Sequence, residues 1–293
     1  MKEPIIPNES LHEIAGPTAL MVAHRRTFTD IPYSQAIFTE LEKLRQSQGV
    51  KFIPAELMTS KIAPQIEARY KLINRYIQES GVKQIFEIAA GFSPRGLNMT
   101  DNPDIEYVES DLLGMSSQKK VIVETLISKS IINNKPNLHL ETANALDLGS
   151  LQTASSHLDP TKPIAIVNEG LLRYLNFDEK TKAAKNIHCL LEKFGGLWIT
   201  PDITLKRAVV AENITTNGQI DKVHKLNKIN IDFNCFESVN DAQRFFENLG
   251  FTVERHSFME AIDELASPQR LGQSKGEVEA LFKDPVVFVM RNI

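Results

Sequence analysis

Short apolar runs alternate with longer amphipathic stretches along most of this chain. Gln84–Ile88, Ile105–Glu109, Leu138–Thr142, Pro163–Val167 and Leu197–Thr200 are compact runs bounded by polar or small residues and read as strands. Pro163–Val167 is apolar throughout, the mark of a parallel strand covered on both faces. Between these runs the period lengthens. Lys61 to Ser80 carries Ile66, Tyr70, Ile73 and Ile77 at spacings of three and four, which predicts a helix with one buried face, closed by Gly81. Ser116 to Asn133 predicts a helix with Val121, Leu126 and Ile127 inward, and Asp178 to Phe194 another, set off from the next strand by Gly195-Gly196. Ser10 to about Gln48 is helical in pattern with breaks expected near Pro17 and Pro32. Residues 205 to 236 are polar and irregular; Asn240 then opens a helix to Leu249, strand Phe251–Arg255 follows, and the chain closes on the apolar run Val286–Met290. Alternation of this kind predicts an α/β fold with a doubly wound, mostly parallel sheet and a helical N-terminal cap.

In such sheets ligands sit beyond the carboxyl ends of the strands, near the point where the strand order reverses. The small and polar residues Gly91, Asp111, Asn144, Asp147 and Glu169 fall at those ends. The turn Ala89-Ala90-Gly91 lets the backbone approach a ligand, and Asp111, 20 residues beyond Gly91, stands where an acid can accept the hydroxyls of a ribose. Glu109, two residues earlier on the same strand face, is the rival acid. The glycine fingerprint of a dinucleotide site is incomplete and no phosphate-cradling G-x-x-x-x-G-K-[ST] occurs, so the turn by itself fits a nucleoside site or a purely structural bend equally well.

Composition narrows the field. A net charge of -4 and a pI near 6.0 offer no global basic field, so no nucleic-acid partner is expected. No apolar run is long enough to span a membrane and the N-terminal stretch lacks a signal-peptide core, so no membrane partner is expected either. Cys189 and Cys235 form no motif, consistent with a reducing cytoplasm, and the seven histidines show no metal-ligand spacing, so no metal is expected. His24, His188 and His256 are weak candidates for a general base.

The runs ARYKLINRYIQESGVKQIFEIAAGFSPRG, EYVESD, NALD and NEGLLRYL together resemble the leucine carboxyl methyltransferase-like family over roughly residues 18 to 200. That family belongs to the class I S-adenosylmethionine-dependent methyltransferases and includes bacterial O-methyltransferases of polyketide-type small molecules. The resemblance implies a seven-stranded Rossmann-like sheet. It also implies residues 1–80 as N-terminal cap and lead-in helix, and 81–293 as the cofactor-binding domain with a cap insertion near 205–236.

It implies S-adenosyl-L-methionine as cofactor, with Arg69 on its carboxylate, Ala89 and Gly91 beneath the methionine moiety and Asp111 on the ribose. Asn144 and Ala145 would then lie beside the adenine, and Glu169 would help to hold the amino-acid part. Arg25 or Arg26 in the cap, Arg173 and Tyr174 are the candidates for contact with a small-molecule acceptor. Three positions depart from the family pattern: Ala89 replaces the usual first glycine, Ser93-Pro94-Arg95 replaces Asp-Thr-Arg with only Arg95 kept, and Asn144 replaces an aspartate. The expected reaction is O-methylation of a small carboxylate or hydroxyl compound. The alternatives are methylation of a protein C-terminal carboxylate and a non-catalytic cofactor-binding or interaction module.

Overall fold

The computed structural model describes residues 9–47, 60–209 and 234–293, with side chains from residue 18 onward. Most of the expected 205–236 insertion, residues 210–233, lies outside the described residues.

Seven strands form one sheet: β1 (Gln84–Ile88), β2 (Glu106–Asp111), β3 (Leu138–Thr142), β4 (Ile164–Asn168), β5 (Gly196–Thr200), β6 (Phe251–Ser257) and β7 (Val286–Asn292). Their spatial order is β3-β2-β1-β4-β5-β7-β6; β1 to β5 pair in parallel, and β7 runs antiparallel between β5 and β6. The strand order reverses between β1 and β4, where Ile88 faces Ser110 on one side and Asn168 on the other.

Every residue of β1 and β4 is buried. Their two-residue period divides the apolar side chains between two cores. Phe86, Ile88, Ile164 and Ile166 pack with Trp198 under α7 (Phe177–Phe194). Ile85, Ala165 and Val167 pack with Leu72, Ile73 and Ile77 of α3 (Ala63–Ser80). Both faces are therefore covered, as a continuous apolar strand requires. α3 ends at Gly81 with φ +70, the left-handed cap, and hands the chain directly to β1.

Two helices precede α3, α1 (Glu9–Arg26) and α2 (Ser34–Ser47). The break expected at Pro32 falls between them, but α1 runs through Pro17. Its second half buries Leu20, Met21 and Ala23 against Ile37, Phe38 and Leu41 of α2 and against α5 (Leu113–Ser128), and this packing sustains the helix past the proline.

In α5 the buried stripe is Met115, Lys119, Ile122 and Leu126; Leu126 faces inward and Ile127 packs beside it as expected, whereas Val121 is 46 % exposed and does not. The stripe contains a lysine, and that charge hid the true helical phase. Between the parallel strands lie α4 (Arg95–Met99) and α6 (Leu148–Ala154). The helix before β6, α8 (Val239–Glu247), is capped by Ser238, whose hydroxyl accepts the Asp241 N–H, and not by Asn240. Two short helices, α9 (Ser267–Leu271) and α10 (Lys275–Leu281), lead into β7. No helix among the described residues is long and apolar enough to cross a membrane.

Candidate functional site

Because β1, β2, β3 and β4 run parallel, their carboxyl ends deliver the following residues to one edge of the sheet. After β1 the chain turns through Ala89 at φ +57 and Gly91 at φ +53. Asp111 at the end of β2 holds this turn: its Oδ2 accepts the Gly91 N–H at 2.8 Å and its Oδ1 accepts the Leu112 N–H at 2.7 Å. Each carboxylate oxygen has a second lone pair, so the acid can brace the turn and still accept hydroxyls. Glu109, the rival, is buried, pairs with Lys119 at 2.8 Å and packs against Gly96, so it belongs to the core.

Left-handed backbone at an alanine costs about 1–2 kcal/mol, of which glycine would recover part. Ala89→Gly is therefore expected to stabilise the protein by about 0.5–1 kcal/mol, read from the midpoint of urea unfolding.

After β3, Asn144 folds back on its own chain, its Oδ1 accepting the Leu146 N–H at 2.9 Å. After β4, the backbone N–H groups of Gly170, Leu171 and Leu172 all converge on the Asp202 carboxylate, at 2.7 to 3.1 Å. Asn168 donates to the same carboxylate at 2.7 Å and accepts from the Trp198 indole. This anchoring aims Glu169 at α1 and α3. There its Oε1 accepts from Arg26 Nη2 and from Arg69 Nε, each at 2.8 Å, and its Oε2 accepts from Arg95 Nη2 at 2.7 Å. Arg95 also pairs with Glu87, whose other oxygen accepts the Tyr107 hydroxyl at 2.8 Å.

The cluster thus holds three guanidinium groups against two carboxylates in a site where Arg26, Arg95, Glu87 and Glu169 are all buried. Burial opposes charge on Glu169, but Arg69, Arg26 and Arg95 outweigh it and hold its carboxyl well below the usual range. Arg26 is pushed down, first by burial and then by its like-charged neighbours Arg69 and Arg95, despite the pull of Glu169. Its Nε is buried without a hydrogen-bond partner. A surplus positive charge with an orphaned donor is the environment that an anionic ligand group completes.

One cavity is lined by Arg69, Ala89, Gly91, Asp111, Asn144, Ala145 and Glu169, and also by Arg26 and Tyr174. Its apolar wall includes Ile88, Leu112, Met115, Leu146 and Leu171. Two expected positions lie elsewhere. Arg25 is buried but does not line this cavity, because one residue along a helix turns the side chain by about 100°. Arg173 lines a second cavity, formed by Ile62, Asp202, Leu205 and Phe258 among others, because the loop turns at Gly170 with φ +88. Arg69 lines both cavities.

None of the three histidines considered as bases lines either cavity. His24 packs against Phe28 and Phe38, His188 against Phe251 and His256 against Tyr76. Among the described residues, no group of three or more His, Cys, Asp and Glu side chains is arranged to hold a metal. Sequence reasoning did not single out Glu87, Asp202 and Glu179 for the site. Asp202 carries the same signal as Asp111 and Glu169, an acid at or just past a strand end.

No family model matches this sequence, and no curated protein matches it. Among solved structures the fold is similar to that of a DUF574 family protein from Streptomyces avermitilis, at 13 % identity and a TM-score of 0.54, covering 93 % of this chain and 97 % of that one. It is likewise similar to that of a candidate methyltransferase from Thermobifida fusca, at 14 % identity and a TM-score of 0.52, covering 92 % and 94 % of the two chains. The seven-stranded, mostly parallel sheet, with its strand order and its single antiparallel β7, is the class I methyltransferase fold.

Proposed function

We propose that this chain binds S-adenosyl-L-methionine and transfers its methyl group to an oxygen of a small molecule, a carboxylate or a hydroxyl. The observation that carries this reading is the convergence on one cavity of the Asp111-braced Gly91 turn and the arginine-rich Glu169 cluster, at the carboxyl edge of a class I sheet. The surplus positive charge and the orphaned Arg26 Nε suit the carboxylate of the methionine moiety, with Arg69 beside it. Glu169 then acts mainly by fixing the arginines, since both of its oxygens already accept from guanidinium groups. Asp111 suits the ribose hydroxyls, and the Asn144–Leu146 turn flanks the base.

When bound, the cofactor supplies a methyl group already activated on a sulfonium. The work left to the protein is alignment and exclusion of water. Met115, Leu112 and Leu171 provide apolar walls for that purpose, and α1 covers the cavity with Val22 and Arg26. An acceptor carboxylate is already ionised at neutral pH and needs no base. Arg69 and Arg173 in the second cavity would hold such an acceptor beside the first.

Calorimetric titration with S-adenosylmethionine and S-adenosylhomocysteine tests the reading. Micromolar affinity, about -8 kcal/mol, is expected. Asp111→Ala removes at least one charge-assisted bond of about 1.5–3 kcal/mol and should weaken binding by at least about 10-fold. A folded wild-type protein that binds neither compound would overturn the proposal and favour a non-catalytic interaction module.

A further inference from the structure

We propose that Glu179 selects the adenine of the cofactor, its carboxylate accepting a hydrogen bond from the 6-amino group. This rests on the cofactor reading above and extends it to a residue on a different element. The turn that flanks the base has few acceptors to offer. Asn144 Oδ1 accepts the Leu146 N–H, the Asn144 carbonyl accepts the Asp147 N–H at 2.9 Å, and the Ala145 carbonyl accepts from Asn186 Nδ2 at 2.9 Å. Asn144 Oδ1 is already shared with a backbone donor, and the side-chain NH2 beside it cannot receive an amine. An aspartate at this position would have kept one oxygen for that purpose.

Three carboxylates line the cavity: Asp111, Glu169 and Glu179. The first braces the Gly91 turn and the second gathers three arginines. Glu179 lies on α7 seven residues before Asn186, hence on the same helix face, and about 10 Å nearer the carboxyl edge of the sheet. Asn186 is hydrogen-bonded to Ala145, so Glu179 projects from the same side of the helix above the 144–146 turn. Its conformation is fixed by a reciprocal cap: Asn176 Oδ1 accepts the Glu179 N–H and Glu179 Oε2 accepts the Asn176 N–H, each at 2.9 Å. The cap uses Oε2 and leaves Oε1 for the cavity.

The test compares S-adenosylhomocysteine with S-inosylhomocysteine, in which a 6-oxo group replaces the 6-amine, by calorimetry on the full chain. Wild-type protein should favour the adenosyl compound by about 10- to 100-fold. Glu179→Gln preserves the cap, because the amide oxygen must take the Asn176 N–H, and so turns an NH2 toward the base. The preference should then fall to parity or reverse, with thermal unfolding unchanged. Glu179→Asp, too short to reach both partners, should also lose it. Retention of the wild-type preference in both variants would overturn this proposal while leaving the cofactor reading intact. A wild-type protein that binds neither compound would overturn both.

Discussion

Glu169→Gln should cost about 3–5 kcal/mol of stability and abolish cofactor binding, the largest effect expected of any residue in the cavity. The wild-type carboxylate is 2 % exposed and accepts from three guanidinium groups. Glutamine has one oxygen for Arg26 and Arg69 and would set an NH2 against Arg95, leaving three cations, of which Arg26 and Arg95 are buried, with Glu87 as their remaining counter-charge. Charges that lose a buried partner are not rehydrated, which is why one substitution reaches so far. The same argument predicts a pH signature. Glu169 titrates far lower in the folded chain than the ordinary glutamate value of about 4.3, so the folded state binds its proton less tightly than the unfolded chain does. Its stabilisation is complete above that ordinary value and is lost as the pH falls through it toward the depressed folded value. Urea midpoints measured from pH 6 down to pH 3 should therefore stay apart above about pH 5 and draw closer below about pH 4 for wild type and Glu169→Gln. A constant gap across that range would show that Glu169 contributes by shape and not by charge.

Much of this arrangement was legible in the residues. The continuous apolar run of β4 and the three-and-four spacing of α3 are each set by local burial, and the structure places both within one or two residues of the expected bounds. The gathering of Gly91, Asp111, Asn144 and Glu169 around one cavity was legible for a topological reason, since parallel strands carry whatever follows them to one edge. What was illegible depends on contacts between distant segments. Arg26 and Arg25 are equivalent in sequence, and only the rotation of α1 over the sheet sends Arg26 to Glu169, 143 residues away. The antiparallel insertion of β7 between β5 and β6 follows from no pattern in Val286–Met290. Lys119 shows why periodicity misled in α5, and Lys180 in α7 is of the same kind: both are buried lysines whose amino groups reach backbone carbonyls, of Ser93 and of Leu175 and Asn234 respectively. Burial pushes the Lys180 amine down to about 8. A charge in a buried stripe reads as surface until its partners are seen.

The paired glycines before β5 separate two physical effects that sequence alone merges. Gly195 closes α7 with φ +71 and ψ -178, a region that side chains avoid, but a Cβ there would meet nothing within 4 Å. Gly195→Ala should therefore cost only the backbone strain, about 1–3 kcal/mol. Gly196 has φ +107, and a Cβ there would stand 2.0 Å from the Ile164 carbonyl oxygen. That oxygen belongs to β4, and Gly196 pairs with Ile164 in the β4–β5 ladder, so neither atom can yield without parting the strands. Gly196→Ala should add this clash to the strain and exceed its neighbour by at least about 2 kcal/mol, or leave the chain unfolded. Because β4 carries Glu169 and β5 leads to Asp202, the damage would reach the cavity, and any folded fraction of Gly196→Ala should bind S-adenosylhomocysteine more weakly than Gly195→Ala does. Urea unfolding of the two variants, with ligand titration beside it, measures both differences. Equal stability in the two would mean that the β4–β5 ladder can shift as a unit, and that the site depends on strand pairing less than its geometry implies.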